Sequence, residues 1–167
     1  MKATDLRALQ APLKTRYRET PDSARMLSRA KGVLDPRNVS CAVQSHRGEV
    51  VAGLHPAAGG DGTQACSADM LLEALVACAG VTMSAVATAM GIELRGSQIT
   101  AEGHWDARGT LGIDKTVPVG LTDVALIFEL DTDAEAQTLD RLIETTERFC
   151  VILQTLRTPP RLSVRRV

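Results

Sequence analysis

The 167 residues carry 19 basic and 20 acidic side chains, so the formal net charge is only −1. This balance excludes a protein covered by a basic nucleic-acid-binding surface, and it also excludes an acidic tail. Aromatic residues make up 2% of the chain, which excludes a stacking platform for single-stranded nucleic acid or sugars. With 44% hydrophobic residues, the chain is long enough to form one domain with its own core, without disulfides or a metal.

The N-terminal segment is polar and begins with a helical pattern. Apolar residues recur at helical spacing over residues 3–18, and Pro12 is expected to interrupt this short helix or arm. The segment lacks the apolar stretch of a secretory signal, which favours a cytoplasmic location in a reducing compartment.

An antiparallel strand meander is predicted next, because short stretches are separated by turn signals at Asp35-Pro36 and Arg47-Gly48. The predicted strands cover residues 25–32, 39–45 and 49–54. Glycine-rich residues 55–67 follow them. This segment lacks the Walker pattern of phosphate-binding loops, so we interpret it as a connection.

Residues 70–90 predict a long helix with a single charge, Glu73. The length would permit a membrane span. However, the segment is rich in small residues, has no closely flanking Lys or Arg and has no aromatic belt, which favours a core helix buried on all sides. Ser67 is the expected N-cap, Asp69 lies in the first turn, and Gly91 suits the C-terminal cap.

The rest of the chain alternates between strand and helix patterns. The predicted elements are strands over residues 98–105 and 123–130, a loop over 107–120, a helix over 131–156 and a final strand over 161–167. Thr132 and Glu135 form a capping-box pattern at the start of this helix. Its expected apolar stripe consists of Leu139, Leu142, Ile143, Phe149, Cys150 and Leu153. The order predicts an α+β fold with helices against antiparallel sheet.

The four cysteines have no short spacing, which excludes a zinc ribbon or a thioredoxin-type motif. Cys78 and Cys150 each lie on a predicted helix. The residues alone leave two interpretations open: small core side chains, or a redox pair brought together by helix packing. Cys41 and Cys66 are interpreted as structural.

Sequence motifs for other chemistries are missing from the chain. No serine-nucleophile elbow or zinc-protease motif occurs, and the three histidines lie in or beside predicted turns. A mixed zinc site of His55, Cys66 and Cys78 matches no known ligand spacing but stays an open alternative.

Three segments together resemble one known family. CSADMLLEALVACAGVTMSAVATAMGI resembles the central helix of the OsmC/Ohr family, the osmotically inducible and organic hydroperoxide resistance proteins. RFCVILQTL resembles that family's second cysteine segment, and RGTLGIDKTVPVG resembles the connecting region of its OsmC-like branch. The resemblance covers the chain from about Met26 to the C-terminus.

The resemblance implies an OsmC-like fold, with antiparallel sheets packed around a long buried central helix in an intertwined homodimer. An N-terminal helical arm over residues 1–25 then precedes an OsmC-like domain over residues 26–167. The implied activity is a cysteine-based peroxidase that reduces organic hydroperoxides without a cofactor and is reset by a dithiol reductant.

The resemblance also implies the roles of the site residues. Cys78 is the peroxidatic cysteine and Cys150 the resolving cysteine. Asp69 takes the place of a carboxylate that orients an arginine, for which Arg37 is the nearest candidate by position. Because burial raises the pKa of a thiol, a cation is expected beside Cys78. The alternative is a non-catalytic protein on the same scaffold that binds small apolar ligands.

Overall fold

The computed structural model describes residues 1–45 and 48–166, so His46, the turn position Arg47 and Val167 lie outside the described residues. The helices and strands confirm the predicted α+β class. In chain order they are α1 (Ala3–Glu19), β1 (Lys31–Asp35), β2 (Ser40–Ser45), β3 (Gly48–Ala52), α2 (Ser67–Met90), β4 (Gln98–His104), α3 (Ala107–Thr110), β5 (Asp123–Glu129), α4 (Ala136–Phe149) and α5 (Val151–Arg157).

The chain divides into two compact units. The helical unit contains Met1–Thr20, Ala74–Thr100 and Ile127–Val167. The sheet unit contains Pro21–Glu73 and Ala101–Leu126. Both cysteines of the predicted pair belong to the helical unit.

The sheet unit contains the predicted meander, in the strand order β1-β2-β3 with antiparallel pairing. The first strand begins at Lys31 and not near residue 25. Lys31 pairs with Gln44, close to the end of the six-residue strand β2. The predicted boundary was therefore wrong.

Strands β4 and β5 form a second, two-stranded sheet. Alternate residues of β4 are half-buried, as the period-two pattern predicts. The loop predicted over residues 107–120 contains the short helix α3, capped by Asp106, whose carboxylate accepts the N–H of Arg108 at 2.9 Å.

Helix α2 begins at Ser67, so Ser67 is not its N-cap as predicted. The carbonyl of Cys66 accepts the N–H of Met70 at 3.0 Å and closes the first turn. Gly91 has a φ of +71°, which confirms the predicted cap because glycine adopts this left-handed conformation at little cost.

In the single chain α2 is buried on one face, whereas the cover on all its sides was predicted for the homodimer. Its fully buried residues are Leu75, Ala79, Met83 and Ala87, which repeat every fourth position and form one face. Val81, on another face, is 73% exposed in the single chain. The helix is long and apolar enough to cross a membrane by length and composition alone, a test that core helices also pass.

Three further predictions about helices and strands were wrong. Helix α1 continues through Pro12, because the flanking residues are good helix formers and one missing hydrogen bond does not end a helix. The helix predicted from residue 131 begins at Ala136, and Thr132 accepts only the N–H of Ala134. Residues 161–166 form no strand.

Candidate active site

The predicted helix over residues 131–156 is two helices, α4 and α5, that meet at Cys150. This residue has extended backbone angles, φ −73° and ψ 107°, and serves as the C-cap of α4 and the N-cap of α5. The break follows from local sequence, since Cys, Val and Ile in succession have poor helix propensity. Cys150 therefore stands at a helix start, and Val151 and Ile152 have backbone N–H groups that are not used within a helix.

Two contacts across the break fix its geometry. The side-chain amide of Gln154 donates to the carbonyl of Glu147 at 2.8 Å, which satisfies one carbonyl at the end of α4. Arg157 pairs with the carboxylate of Glu147, also at 2.8 Å. This ion pair is half-exposed and contributes at most about 1 kcal/mol, so the amide bond and the packing of the buried residues hold the break.

The thiols of Cys78 and Cys150 contact each other within the helical unit, both as free cysteines. Cys78 lies in the middle of α2 and is half-buried, and Cys150 is fully buried. The structure therefore brings together the two cysteines that the sequence could assign either to core packing or to a redox pair.

Hydrogen bonds shift the pKa of Cys78. Burial raises the pKa of this thiol, but four donors outweigh it and hold the pKa below its ordinary value. In order of their effect, the donors are the N–H of Ile152, the thiol of Cys150, the N–H of Val151 and the hydroxyl of Thr82. Within the single chain, uncharged donors thus lower the pKa of Cys78, and the cation expected beside this thiol stays a prediction.

The pKa of Cys150 moves in the opposite direction. Burial raises it most, the N–H of Leu153 opposes this, and the neighbouring Cys78 raises it further. As the pH rises, Cys78 therefore loses its proton first, while Cys150 remains a thiol and donates to the Cys78 sulfur. The pair has one nucleophile and one proton-bearing neighbour, which is the asymmetry that peroxide reduction needs.

A groove of about 630 Å³ lies in the helical unit between α1, α2 and α4, and Phe149, the residue before Cys150, is part of its wall. Thr82, which donates to the Cys78 sulfur, is part of its wall, and most of the other walls are apolar. They include Leu6, Val81, Ala85, Met90 and Phe149. The arrangement suits an apolar molecule that approaches the thiol from the side of Thr82.

The other two predicted site residues, Asp69 and Arg37, belong to the sheet unit. Asp69 lies in the first turn of α2, and among the described residues its carboxylate has no ion pair or hydrogen bond. Arg37 lies in the turn after β1, almost fully exposed, with its Nε 3.9 Å from Asp35. The roles implied for Asp69 and Arg37 stay predictions.

The remaining cysteines and histidines have separate surroundings. Cys41 lies on β2 opposite Ala52, and Cys66 precedes α2. His55 accepts the N–H of Ala57 at 3.0 Å and meets the ring of Trp105 edge to face. Within residues 1–45 and 48–166, no three Cys, His, Asp or Glu side chains are grouped as metal ligands would be.

We predict that alkylation separates the two thiols by pH. Because the pKa of Cys78 is lowered, its thiolate fraction at neutral pH is larger than that of an ordinary thiol, whose pKa is about 8.5. Below its inflection, the alkylation rate of Cys78 should fall tenfold per pH unit. Mass spectrometry of the alkylated peptides measures each rate against pH. The inflection for Cys78 should lie below the ordinary thiol pKa, and the inflection for Cys150 should lie above it. Equal inflections would contradict the asymmetry.

Sequence reasoning missed Thr82 and the N–H groups of Val151 and Ile152. Two signals were available. Thr82 lies one helical turn after Cys78, so the two share a helix face. The β-branched pair after Cys150 marks a weak point in the helix pattern.

Comparisons with known proteins give one family and one fold. A family model described as OsmC-like protein matches residues 60–165. The chain is similar to the crystal structure of an OsmC-like protein from Mycoplasma pneumoniae, at 19% identity and a TM-score of 0.67, covering 80% of this chain and 89% of that one. It is also similar to the crystal structure of an organic hydroperoxide resistance protein OsmC from Legionella pneumophila, at 20% identity and a TM-score of 0.63, covering 81% of this chain and 92% of that one.

The organic hydroperoxide resistance protein OhrB of Bacillus subtilis is similar as well, at 16% identity and a TM-score of 0.56, covering 80% of this chain and 93% of that one. At these identities the likeness establishes the fold alone. A search of curated proteins by sequence found no match.

Proposed function

The chain belongs to the OsmC-like protein family, and from this premise and the Cys78–Cys150 contact we propose that it is a thiol peroxidase that reduces organic hydroperoxides in the cytoplasm. The observation that carries the proposal is the pair of contacting thiols with opposite pKa shifts. Solved relatives named as organic hydroperoxide resistance proteins support the same substrate class.

In the proposed reaction, the Cys78 thiolate attacks the oxygen of the hydroperoxide that bears hydrogen. The O–O bond breaks, the alkoxide takes up a proton and leaves as an alcohol, and Cys78 becomes a sulfenic acid. The sulfur of Cys150 then attacks the sulfur of Cys78. The S–O bond breaks, and the thiol proton of Cys150 joins the leaving hydroxyl to form water. An external dithiol reduces the resulting disulfide and restores both thiols.

The reaction is tested by counting thiols. The reduced protein has four free cysteines. One equivalent of cumene hydroperoxide, added without reductant, should consume two thiols, and peptide mapping should find them joined as Cys78–Cys150. Loss of no thiols, with cumene hydroperoxide bound unchanged, would support the alternative of a non-catalytic binder that uses the apolar groove.

The role of Asp69 gives a separate prediction. A carboxylate in the first turn of a helix stabilises that helix by about 0.3–1 kcal/mol in any case. If Asp69 also holds an arginine beside Cys78, Asp69→Asn raises the pKa of Cys78, and the alkylation rate near neutral pH falls about tenfold per unit. Glu73→Gln, which removes the other carboxylate of α2, is the matched control. An unchanged alkylation rate in Asp69→Asn, with only a slightly lower Tm, would leave Asp69 with the helix-stabilising role alone.

A further inference from the structure

A buried hydroxyl one helical turn from Cys150 has no partner in the part of the chain that the structure describes. Thr146 on α4 is 0% exposed, and its Oγ1 forms no hydrogen bond to any of the described residues. Burying an unpaired hydroxyl costs free energy, because the hydroxyl loses its hydrogen bonds to water and gains none. The position of Thr146 thus calls for an explanation.

Three other helical threonines of this chain satisfy their hydroxyl with a hydrogen bond inside their own helix. Thr88, Thr145 and Thr155 each donate to the carbonyl four residues earlier, at 2.6–2.8 Å. Thr146 does not form this bond to the carbonyl of Leu142. The hydroxyl of Thr146 is therefore available to donate a hydrogen bond to a group outside its own helix.

The position of Thr146 relative to the thiols follows from the packing of α4 on α2. Leu142 packs in one cluster with Met83 and Ala87, and Cys150 contacts Cys78. The helices run in opposite directions along this contact. Thr146 lies halfway between Leu142 and Cys150 and shares their buried face, since the three are spaced four residues apart.

Cysteine and threonine therefore follow one pattern on both helices. Thr82 lies one turn from Cys78 on α2, and Thr146 lies one turn from Cys150 on α4, with its carbonyl accepting the Cys150 N–H at 2.9 Å. Along each helix, the threonine lies in the chain between the cysteine and the nearest member of the Leu142 cluster, Met83 on α2 and Leu142 on α4. Thr82 already donates to the Cys78 sulfur in the reduced state, whereas the Thr146 hydroxyl has no acceptor among the described residues.

We propose that Thr146 is a further catalytic residue, whose hydroxyl donates a hydrogen bond to the oxygen that Cys78 takes from the hydroperoxide. This inference rests on the proposed peroxidase function. Oxidation of Cys78 to the sulfenic acid places a new acceptor oxygen on the sulfur, in a region where the reduced protein has an unpaired donor. The hydrogen bond stabilises the charge that develops on this oxygen when Cys150 attacks and water leaves.

Thr146 acts in the second chemical step, the formation of the disulfide, and not in the first, the attack of Cys78 on the hydroperoxide. The thiolate of Cys78 is stabilised by Val151, Ile152, Thr82 and Cys150, so its attack on the hydroperoxide does not depend on Thr146. Formation of the disulfide does depend on it, because the S–O bond breaks only as the leaving oxygen is stabilised.

The test compares Thr146→Val with Thr146→Ser. Each variant, reduced and then freed of reductant, is mixed rapidly with cumene hydroperoxide and quenched with a sulfenic-acid trap. In Thr146→Val the trapped sulfenic acid should form at the parent rate and decay to the disulfide about tenfold more slowly, as expected for the loss of one hydrogen bond to a group that develops charge. Thr146→Ser keeps the hydroxyl and should decay at the parent rate.

Stability separates this role from a structural one. Valine has the shape of threonine without the unpaired hydroxyl, so the Tm of Thr146→Val should equal or exceed that of the parent, while serine leaves a small cavity and lowers it. Decay in Thr146→Val at the parent rate would overturn the role of Thr146 and leave the peroxidase proposal intact. A parent protein that forms neither sulfenic acid nor disulfide would overturn both.

Discussion

Replacing Cys78 with serine is expected to abolish hydroperoxide reduction. Serine keeps the size and the hydrogen bonds of the site, but its hydroxyl does not ionise near neutral pH, so no nucleophile attacks the O–O bond. We expect no consumption of cumene hydroperoxide above the uncatalysed rate in a coupled assay with an excess of dithiol. Cys41→Ser is the matched control, because Cys41 lies on β2 in the sheet unit and should leave turnover unchanged.

Replacing Cys150 should give a different result. Cys150→Ser retains the attacking thiol, so one equivalent of hydroperoxide is reduced and a sulfenic acid accumulates at Cys78. With excess hydroperoxide the sulfenic acid should proceed to the sulfinic acid, and mass spectrometry detects both as additions of oxygen to the Cys78 peptide. Because the serine hydroxyl also donates a hydrogen bond to the Cys78 sulfur in place of the Cys150 thiol, the first attack should proceed at close to the parent rate.

The opposite pattern would reverse the assignment of the two cysteines. A sulfenic acid trapped at Cys150 in the Cys78→Ser variant would identify Cys150 as the attacking residue. The pKa shifts argue against this outcome, because the proton is held more tightly at Cys150 than at Cys78. The two variants therefore test the direction of the reaction as well as its existence.

The sequence predicts the elements of this fold better than their ends. The helix around Cys78 was predictable from its long and nearly uncharged apolar run, and the three-stranded meander from the turn signals between short stretches. The start of β1 depends on its pairing with β2, and the start of α2 depends on which carbonyl closes its first turn. Neither property is local to the residues that mark the predicted boundary.

The candidate site was predictable in part. The two cysteines could be named from their helices and from the family resemblance, but their mode of activation could not. A cation was expected because Cys78 lies mid-helix and is partly buried. The donors that lower the pKa of Cys78 within the single chain include Val151 and Ile152, whose N–H groups are available because the helix breaks at Cys150. Helical periodicity carries no signal for such a break, since the apolar stripe continues through it.

The exposed side of α2 predicts an assembly. In the single chain Val81 is 73% exposed, Val151 69% and Phe149 60%, and Val81 and Phe149 line the same groove. Apolar surface of this kind on a helix with so little charge favours burial against a second subunit. We propose that two copies of the chain pair through this side of α2, as the homodimer that the family resemblance implies.

A charge at Val81 should therefore separate the subunits. Val81→Glu places a carboxylate in the proposed interface, where it would be buried without a partner, so the dissociation constant should rise by at least about a hundredfold, from the cost of desolvating an unpaired charge. Sedimentation equilibrium at micromolar concentration should find a dimer for the parent and a monomer for the variant.

The same substitution at an exposed valine of the sheet unit, Val119→Glu, is the control and should leave the dimer intact. A parent chain that sediments as a stable folded monomer would contradict the assembly. If Val81→Glu instead remains dimeric, the subunits pair through another surface.

Val81 lies three residues after Cys78, so a dimer formed here excludes water from the side of α2 next to the reacting thiol. Dissociation should then speed alkylation of Cys78 by a charged reagent, iodoacetate, more than by neutral iodoacetamide, because a charged reagent loses more hydration energy when it enters a covered site.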